Sequence, residues 1–278
     1  MAKQTSLIKI NGKADGQSFY TSKNGGALMR SINKGMGQRV KESQEYLNTR
    51  KNNAEFGACG DFAGVFIGTI TQRWRFILTS IATGLMVKAA KAAIVSATVG
   101  NWGQRAIPVA RYGDLFTAFN GLSKNAMPEV IQNAMKNVIK FDASTNDIFV
   151  GSDIEVDMEL LALLENIKAD GFTLDFYHHM VDMPTWDGNT NTYFKSNATL
   201  THLSGLHADV SSPTVNSVIL PEGNENVDTT YANDDTAQLD CCFVIFRPYR
   251  TVNGEKSILQ QHCAGAVFVP GVGTKPEP

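Results

Sequence analysis

The chain has 278 residues and a formal net charge of −2, with 43% hydrophobic and 19% charged residues. That is the composition of a globular chain with a sizeable core, and the length exceeds the usual single core of about 100 to 200 residues, so about two domains are expected. The four cysteines, Cys59, Cys241, Cys242 and Cys263, form no C-x-x-C pair and are expected to be reduced. The N-terminus lacks the charged start, apolar run and small-residue cleavage site of a signal peptide, so the expectation is a protein assembled in a bacterial cytoplasm and never secreted.

The near-neutral total conceals two opposite halves. Residues 1–146 hold 19 Lys+Arg against 8 Asp+Glu and residues 147–278 hold 6 against 19, so the halves carry +11 and −13. Such an asymmetry bears on association and solubility more than on fold. Two partners suit a basic half. One is nucleic acid, including DNA in a channel, whose phosphates reward Lys and Arg through counterion release. The other is an acidic surface of a neighbouring subunit, oriented by charge complementarity. The basic residues are spread over several predicted helices, and only Arg73-Trp74-Arg75-Phe76 interleaves cations with aromatics, which favours the protein partner.

In chain order, Leu7, Ile8 and Ile10, then Ser18, Phe19 and Tyr20, read as two short strands joined through Asn11-Gly12 and Asp15-Gly16. Asn24-Gly25-Gly26 allows a second turn before residues 28–32. Helices are expected over residues 38–48, 53–75, 77–99, 114–119 and 127–140, with Asn53 as a cap and Pro128 in a permissive first turn. In the second of these, Phe56, Cys59, Ala63, Phe66, Ile67 and Ile70 recur at intervals of three and four. Gly57, Gly60, Gly64 and Gly68 share that spacing. Each costs about 0.8 to 1 kcal/mol of helicity, so close approach of another backbone is expected there.

Residues 76–99 are apolar apart from Lys88 and Lys91, but the uninterrupted apolar run ends at Val87, short of the roughly 20 residues a spanning helix needs. Leu78, Ile81, Ala82, Leu85, Ala89, Ala92, Ala93 and Ser96 form one stripe with both lysines outside it, so a packing helix is expected and no membrane span.

After residue 146 the texture changes to strands. Residues 153–159 alternate apolar and acidic, and residues 172–176, 200–203, 215–220, 239–246 and 264–269 are further strand candidates, with a turn at Asn253-Gly254. Residues 160–167 read equally as a helical turn or a connection. The expected fold is therefore α+β: an N-terminal β-hairpin and basic helical region over 1–146, then an acidic β-sandwich over 147–278. Residues 221–236, PEGNENVDTTYANDDT, form a long acidic connection. It is read either as an arm reaching a neighbour or as a plain loop.

Candidate chemistry is sparse. His178, His179, His202, His207 and His262 form no H-E-x-x-H pair and do not stand at zinc spacing beside the cysteines. Adjacent His178 and His179, like Cys241 and Cys242, are expected on opposite faces of a strand. Residues 182–191 are rich in oxygen ligands but lack the closing glutamate of a calcium loop. There is no nucleophile elbow, phosphate loop or dinucleotide fingerprint, so no catalytic, cofactor or metal residue is assigned and no enzymatic activity is expected.

Ile8-Lys9, Gly12, Asp15-Gly16, Phe19-Tyr20 and Arg30, followed by Arg50, Asn52, Asn53, Glu55, Phe56 and Gly57, form a pattern confined to about the first 60 residues. On these residues the chain resembles a family of structural proteins from tailed phages of Bacteroidetes hosts, including the crAss-like phages. The loop after Tyr20, TSKNGGAL, departs from the family's usual K-x-x-x-G-Y-L. The resemblance implies a virion component of the tail or head-to-tail neck, present in many copies as a ring and without known enzymatic activity. It implies contacts with other copies and with portal, tail or neck proteins, and a dodecamer is the expected ring. Phe19, Tyr20, Arg30, Arg39, Lys41, Arg50, Lys51 and Phe56 are the candidate contact residues. A head decoration or tail tube protein and a nucleic-acid-binding module are the alternatives.

Overall fold

A computed structural model describes residues 2–3, 11–14, 17–22, 26–31, 35–97, 100–108, 111–142, 147–150, 158–209 and 238–273. The chain divides into two compact units, Met1–Asn52 and Asn53–Pro278. The change of texture at residue 146 falls inside the second unit and is not the boundary between them.

The first unit holds a four-stranded antiparallel sheet in the order β1-β4-β3-β2, built from β1 (Ala2–Lys3), β2 (Gly12–Ala14), β3 (Gln17–Thr21) and β4 (Ala27–Ser31). Ala14 pairs with Gln17, so β2 and β3 are joined by residues 15–16 alone. The expected strand at Leu7 to Ile10 lies outside the described residues. At the β3–β4 connection the Ser22 hydroxyl accepts the Gly26 amide at 3.1 Å and the Ser22 amide donates to the Gly26 carbonyl at 2.8 Å. Helix α1 (Met36–Glu42) and a 3-10 turn at Gln44–Tyr46 follow.

Helix α2 (Leu47–Trp74) is continuous, and Asn53, expected as a cap, lies in its interior. The 3-10 turn already ends with Leu47 in the right-handed helical region, so the helix starts six residues earlier than the side-chain pattern alone suggests. Glu55, Ala58, Cys59, Phe62, Ala63, Phe66, Ile67 and Ile70 are buried, alternating steps of three and one that keep one face of the helix inward.

Residues 77–81, expected to be helical, are not. Leu78 bridges Ser123, the Lys124 amide donates to the Ile77 carbonyl at 2.7 Å and the Thr79 amide to the Leu122 carbonyl at 3.0 Å. Helix α3 (Ala82–Val95) then buries Ala82, Met86, Ala90, Ala93 and Ile94. Ile81 and Leu85 of the expected stripe are exposed. An Ala-rich helix that is apolar on most sides does not fix its own phase, so its neighbours decide it. Helices α4 (Tyr112–Asn120), α5 (Glu129–Val138) and α6 (Met158–Asn166) follow, with a hairpin of β5 (Ile139–Asp142) and β6 (Asp147–Val150) between the last two. Of the strand expected over 153–159, Met158 and Glu159 are helical and the rest lies outside the described residues.

The C-terminal half supplies a five-stranded antiparallel sheet. β10 (Ala198–Asp209) pairs with β7 (Gly171–Asp182), and β7 with the central β11 (Gln238–Val252). The other edge of β11 is shared by β13 (Ala264–Gly273) and β12 (Glu255–Ile258). Asn253 and Gly254, at φ of 54° and 83°, make the two-residue β11–β12 turn. Positive φ at both positions is the geometry that Asn-Gly supplies at low cost. The small hairpin β8 (Trp186–Asp187) and β9 (Thr192–Tyr193) lies between β7 and β10. The residue 215–220 strand lies outside the described residues.

Period-two alternation sends the sheet's side chains into two cores. Tyr177, Val181, Leu239, Cys241, Phe243 and Ile245 pack with residues of α2, α3 and α4, and Phe172, Leu174, Phe176, Cys242, Val244 and Phe246 pack with Ile131 and Met135 of α5 and Leu164 of α6. The α+β order of strands, helices and antiparallel sheet is as expected. What differs is the covering layer: among the described residues both sheet faces are covered by helices rather than by a second sheet. The unbroken apolar run at 241–246 is what a strand buried on both faces requires. Gly265 of β13 permits the tightest contact, since a Cβ there would stand 3.0 Å from Ile77 Cγ2 and from two ring carbons of Phe243.

Candidate functional site

The candidate contact residues do not form one surface. In the first unit, Phe19 pairs with Met29 and Tyr20 with Leu28, so the two aromatics point to opposite faces of the sheet. Both are half-buried. Arg30 shares the Tyr20 face, its guanidinium 5.7 Å from the ring centroid.

Arg39, Lys41 and Arg50 do converge, on the C-terminal end of α1. Arg39 and Lys41 occupy its last turn, where the helix dipole favours cations. Arg50 Nη1 donates to the Val40 carbonyl at 2.9 Å and the Ser43 carbonyl at 2.8 Å, so its charge completes the helix end. Arg39 is exposed but pairs with Glu45 at 2.6 Å and lies over the Tyr46 ring. Lys41 is exposed and Lys51 half-buried. Phe56 belongs to the second unit, where it is 58% exposed on α2.

The most ordered polar constellation is one that sequence reasoning did not single out as a site. Glu55 is fully buried. Its Oε2 accepts from Lys91 Nζ at 2.6 Å and Arg105 Nη2 at 2.9 Å, and its Oε1 from Arg105 Nε and the Gly103 amide, each at 2.8 Å. Burial alone would raise the carboxyl pKa, but the hydrogen bonds from Arg105, Lys91 and Gly103 and the Lys91 charge outweigh it and hold the pKa at about 2. The Arg105 backbone carbonyl accepts the Tyr193 hydroxyl at 2.8 Å. The cluster thus ties α2, α3, segment 100–108 and β9 together. With two strong acceptances on each oxygen, Glu55 has no lone pair directed at a substrate. The signal was present in the sequence: Glu55 precedes Ala58, Cys59 and Phe62 by three, four and seven positions, which puts it on the buried stripe.

A second cluster sits on the sheet face toward α2. Arg247 pairs with Asp175 at 2.5 Å and its guanidinium lies 5.4 Å from the Trp74 ring centroid. His202 Nε2 is 3.8 Å from Asp175, and its ring meets Tyr177 edge-on at 5.0 Å. Burial pushes the Asp175 carboxyl above its ordinary value, while Arg247 opposes the rise. Trp74 Nε1, Thr173 Oγ1 and Arg247 Nε are buried here without hydrogen-bond partners, while Asp175 Oδ2 is held by the Arg247 ion pair.

His178 and His179 point to opposite faces, as do Cys241 and Cys242. The Thr69 hydroxyl lies 2.9 Å from His179 Nε2 and 3.1 Å from the Val65 and Phe66 carbonyls of its own helix, so it links the imidazole to α2. Burial holds the His179 pKa down at about 3, in its neutral form. The four cysteines are buried thiols, none of them in a disulfide. Burial pushes the Cys59 and Cys242 thiols up to about 12 and Cys263 to about 11, away from the thiolate that nucleophilic chemistry needs. Asp187 accepts from the Asn189 amide and the Thr190 hydroxyl and so holds its own turn.

Among the described residues, no group of His, Cys, Asp and Glu is arranged to hold a metal ion, and no helix is long and apolar enough to cross a membrane. Comparison with known proteins returns no matching family model, curated protein or solved structure.

Proposed function

We propose that the chain is a noncatalytic virion protein of a tailed phage, a multi-copy ring component of the tail or of the neck joining head to tail. The observation that carries this reading is the separate N-terminal unit. Met1–Asn52 is compact on its own and contains most residues of the family resemblance, including Gly12, Phe19, Tyr20, Arg30, Arg50 and Asn52. It precedes a larger unit whose C-terminal part carries the acidic excess. A small basic module joined in one chain to an acidic unit suits repeated contacts between like subunits, where charge complementarity sets orientation. Closed point-group symmetry, here a dodecameric ring, is the usual outcome for a repeated contact that closes.

Reconstruction of the particle, with mass spectrometry of purified virions, tests the reading. The expected result is the chain in symmetric copies in mutual contact in the neck or tail. Its absence from particles, or its presence only as isolated copies, refutes the proposal. Lys41 and Arg30 lining a DNA-filled channel with no acidic residue nearby would replace the protein partner with nucleic acid.

A further inference from the structure

Gly64 and Gly68 of α2 were expected to receive another backbone. Within the described residues they do not: a Cβ at Gly57, Gly60, Gly64 or Gly68 would meet nothing within 4 Å. Instead, Gly64 and Gly68 line a groove of about 910 Å³ together with Thr71, Arg75, Thr79 and Lys124. Its wall along α2 runs from Gly64 to Gln72. That is about 12 Å of helix, the length of roughly four extended residues.

The groove's chemistry is one-sided. It is lined by two cations, Arg75 and Lys124, and by no carboxylate. Both cations are exposed, and neither has an ion-pair or hydrogen-bond partner for its side chain among the described residues. The Thr79 hydroxyl is buried without a hydrogen-bond partner. Ala82 and Thr83, also in the lining, open α3, whose first turn has neither a side-chain cap nor an acidic residue and so adds positive potential. The missing side chains at Gly64 and Gly68 keep the wall low, at a cost of about 1 kcal/mol of helicity each that no contact among the described residues offsets.

We infer that this groove binds an acidic peptide segment contributed by the C-terminal half of a second copy of the chain. Charge complementarity selects the occupant: residues 147–278 carry the −13 excess, and residues 221–236 contain Glu222, Glu225, Asp228, Asp234 and Asp235 with no Lys or Arg. The extent of the groove suits an extended chain rather than a single small anion. The choice of a second copy rests on the homo-oligomer reading above.

The test uses the full-length chain and a labelled synthetic peptide of residues 221–236, followed by fluorescence polarisation. Saturable binding is expected, weakening about tenfold or more when salt rises from about 0.05 to 0.5 M, as exposed charge contacts do. A peptide with its five carboxylates replaced by amides should lose binding, as should the Arg75→Glu/Lys124→Glu double variant. Gly64→Leu separates folding from docking, because the side chain enters open space: the thermal midpoint should hold or rise while peptide affinity falls at least about tenfold. Binding that ignores Gly64→Leu and the charge reversal overturns the assignment, as does no binding at about millimolar peptide. Displacement by inorganic phosphate at the peptide's own concentration makes the groove a simple anion site and overturns it. Binding that appears only after the chain's own residues 221–236 are neutralised places the contact within one copy and overturns the intersubunit claim. None of these outcomes depends on where the chain sits in a particle, so virion composition judges the proposed function separately.

Discussion

Replacing Glu55 by glutamine removes one charge and almost no volume, yet it is expected to be among the most damaging polar substitutions in the second unit. The carboxylate is fully buried, and the Lys91 and Arg105 side chains that it neutralises are only 23% and 15% exposed. A glutamine at this position still accepts through its carbonyl oxygen, but its amide NH₂ confronts the donors that Oε2 now satisfies. Breaking a buried ion pair by removing one partner costs about 3 to 5 kcal/mol, because the other charge stays behind uncompensated. Taking about 3 kcal/mol for a site whose cations reach partly to water, the thermal midpoint should fall by roughly 6 to 12 °C in a unit of this size.

The pH dependence reaches the same magnitude by a second route. The folded-state pKa of about 2 lies below the ordinary 4.5, so the folded chain holds the charged form more strongly than the unfolded chain does. The stabilisation is therefore fully present above about pH 5 and is lost as the pH falls from 4.5 toward 2. A displacement of that size corresponds to about 3 kcal/mol. Denaturant unfolding followed by circular dichroism from pH 7 to pH 2.5 should show wild type and Glu55→Gln about 3 kcal/mol apart at neutral pH and converging in acid. A variant within about 1 kcal/mol of wild type at pH 7, or a gap independent of pH, would refute the argument that the cluster ties the helices together.

Two glycine substitutions are expected to move in opposite directions. Gly57→Ala places a methyl group in open space on α2 and should stabilise the protein by about 0.5 to 1 kcal/mol, whereas Gly265→Ala drives a Cβ to 3.0 Å from Ile77 and Phe243 and should cost about 1 to 3 kcal/mol in the same melts. For His179, neutral in the fold with a pKa near 3, the unfolded chain takes up the proton first as the pH drops below 6.5. Stability should therefore decline between pH 6.5 and 3, and His179→Leu should flatten that part of the profile; an unchanged slope would show that the imidazole reaches solvent.

The sequence made some of these features legible because they depend on short-range periodicity. The buried stripe of α2, the unbroken apolar run of β11, the opposed faces of His178 and His179 and the Asn253-Gly254 turn all follow from spacing within a few residues. Features set by distant partners were not legible. The phase of α3 depends on Glu55, thirty-six residues before Lys91, which turns a lysine assigned to the wet face into a partner of the interior. Likewise, a strand that is apolar on both faces declares that it is covered without declaring by what. The second sheet expected from strand count alone gives way, among the described residues, to α5 and α6. The glycines of α2 could be read as an uncovered face, but not as facing a groove that the α2–α3 connection and Lys124 complete.

The same contacts also change what the charge asymmetry offers a partner. The +11 of residues 1–146 counts cations already committed inside the chain: Lys91 and Arg105 to Glu55, and Arg50 to two carbonyls at the end of α1. Removing any of these damages the fold before it reveals anything about association. Arg39 and Arg111 have exposed pairs with Glu45 and Asp114 as their ionic contacts, and Arg39 also lies over the Tyr46 ring. Pairs of that kind are worth at most about 1 kcal/mol and exchange readily for an intermolecular carboxylate. Arg30, Lys41, Lys88, Arg75 and Lys124 are exposed and have no carboxylate partner among the described residues. Of these, Arg75 and Lys124 alone share a concave wall. Long-range attraction depends on the whole uncompensated set and fades with salt, whereas the docking geometry depends on the pair in the groove. An acidic neighbour can therefore be drawn by many residues and yet be positioned by few.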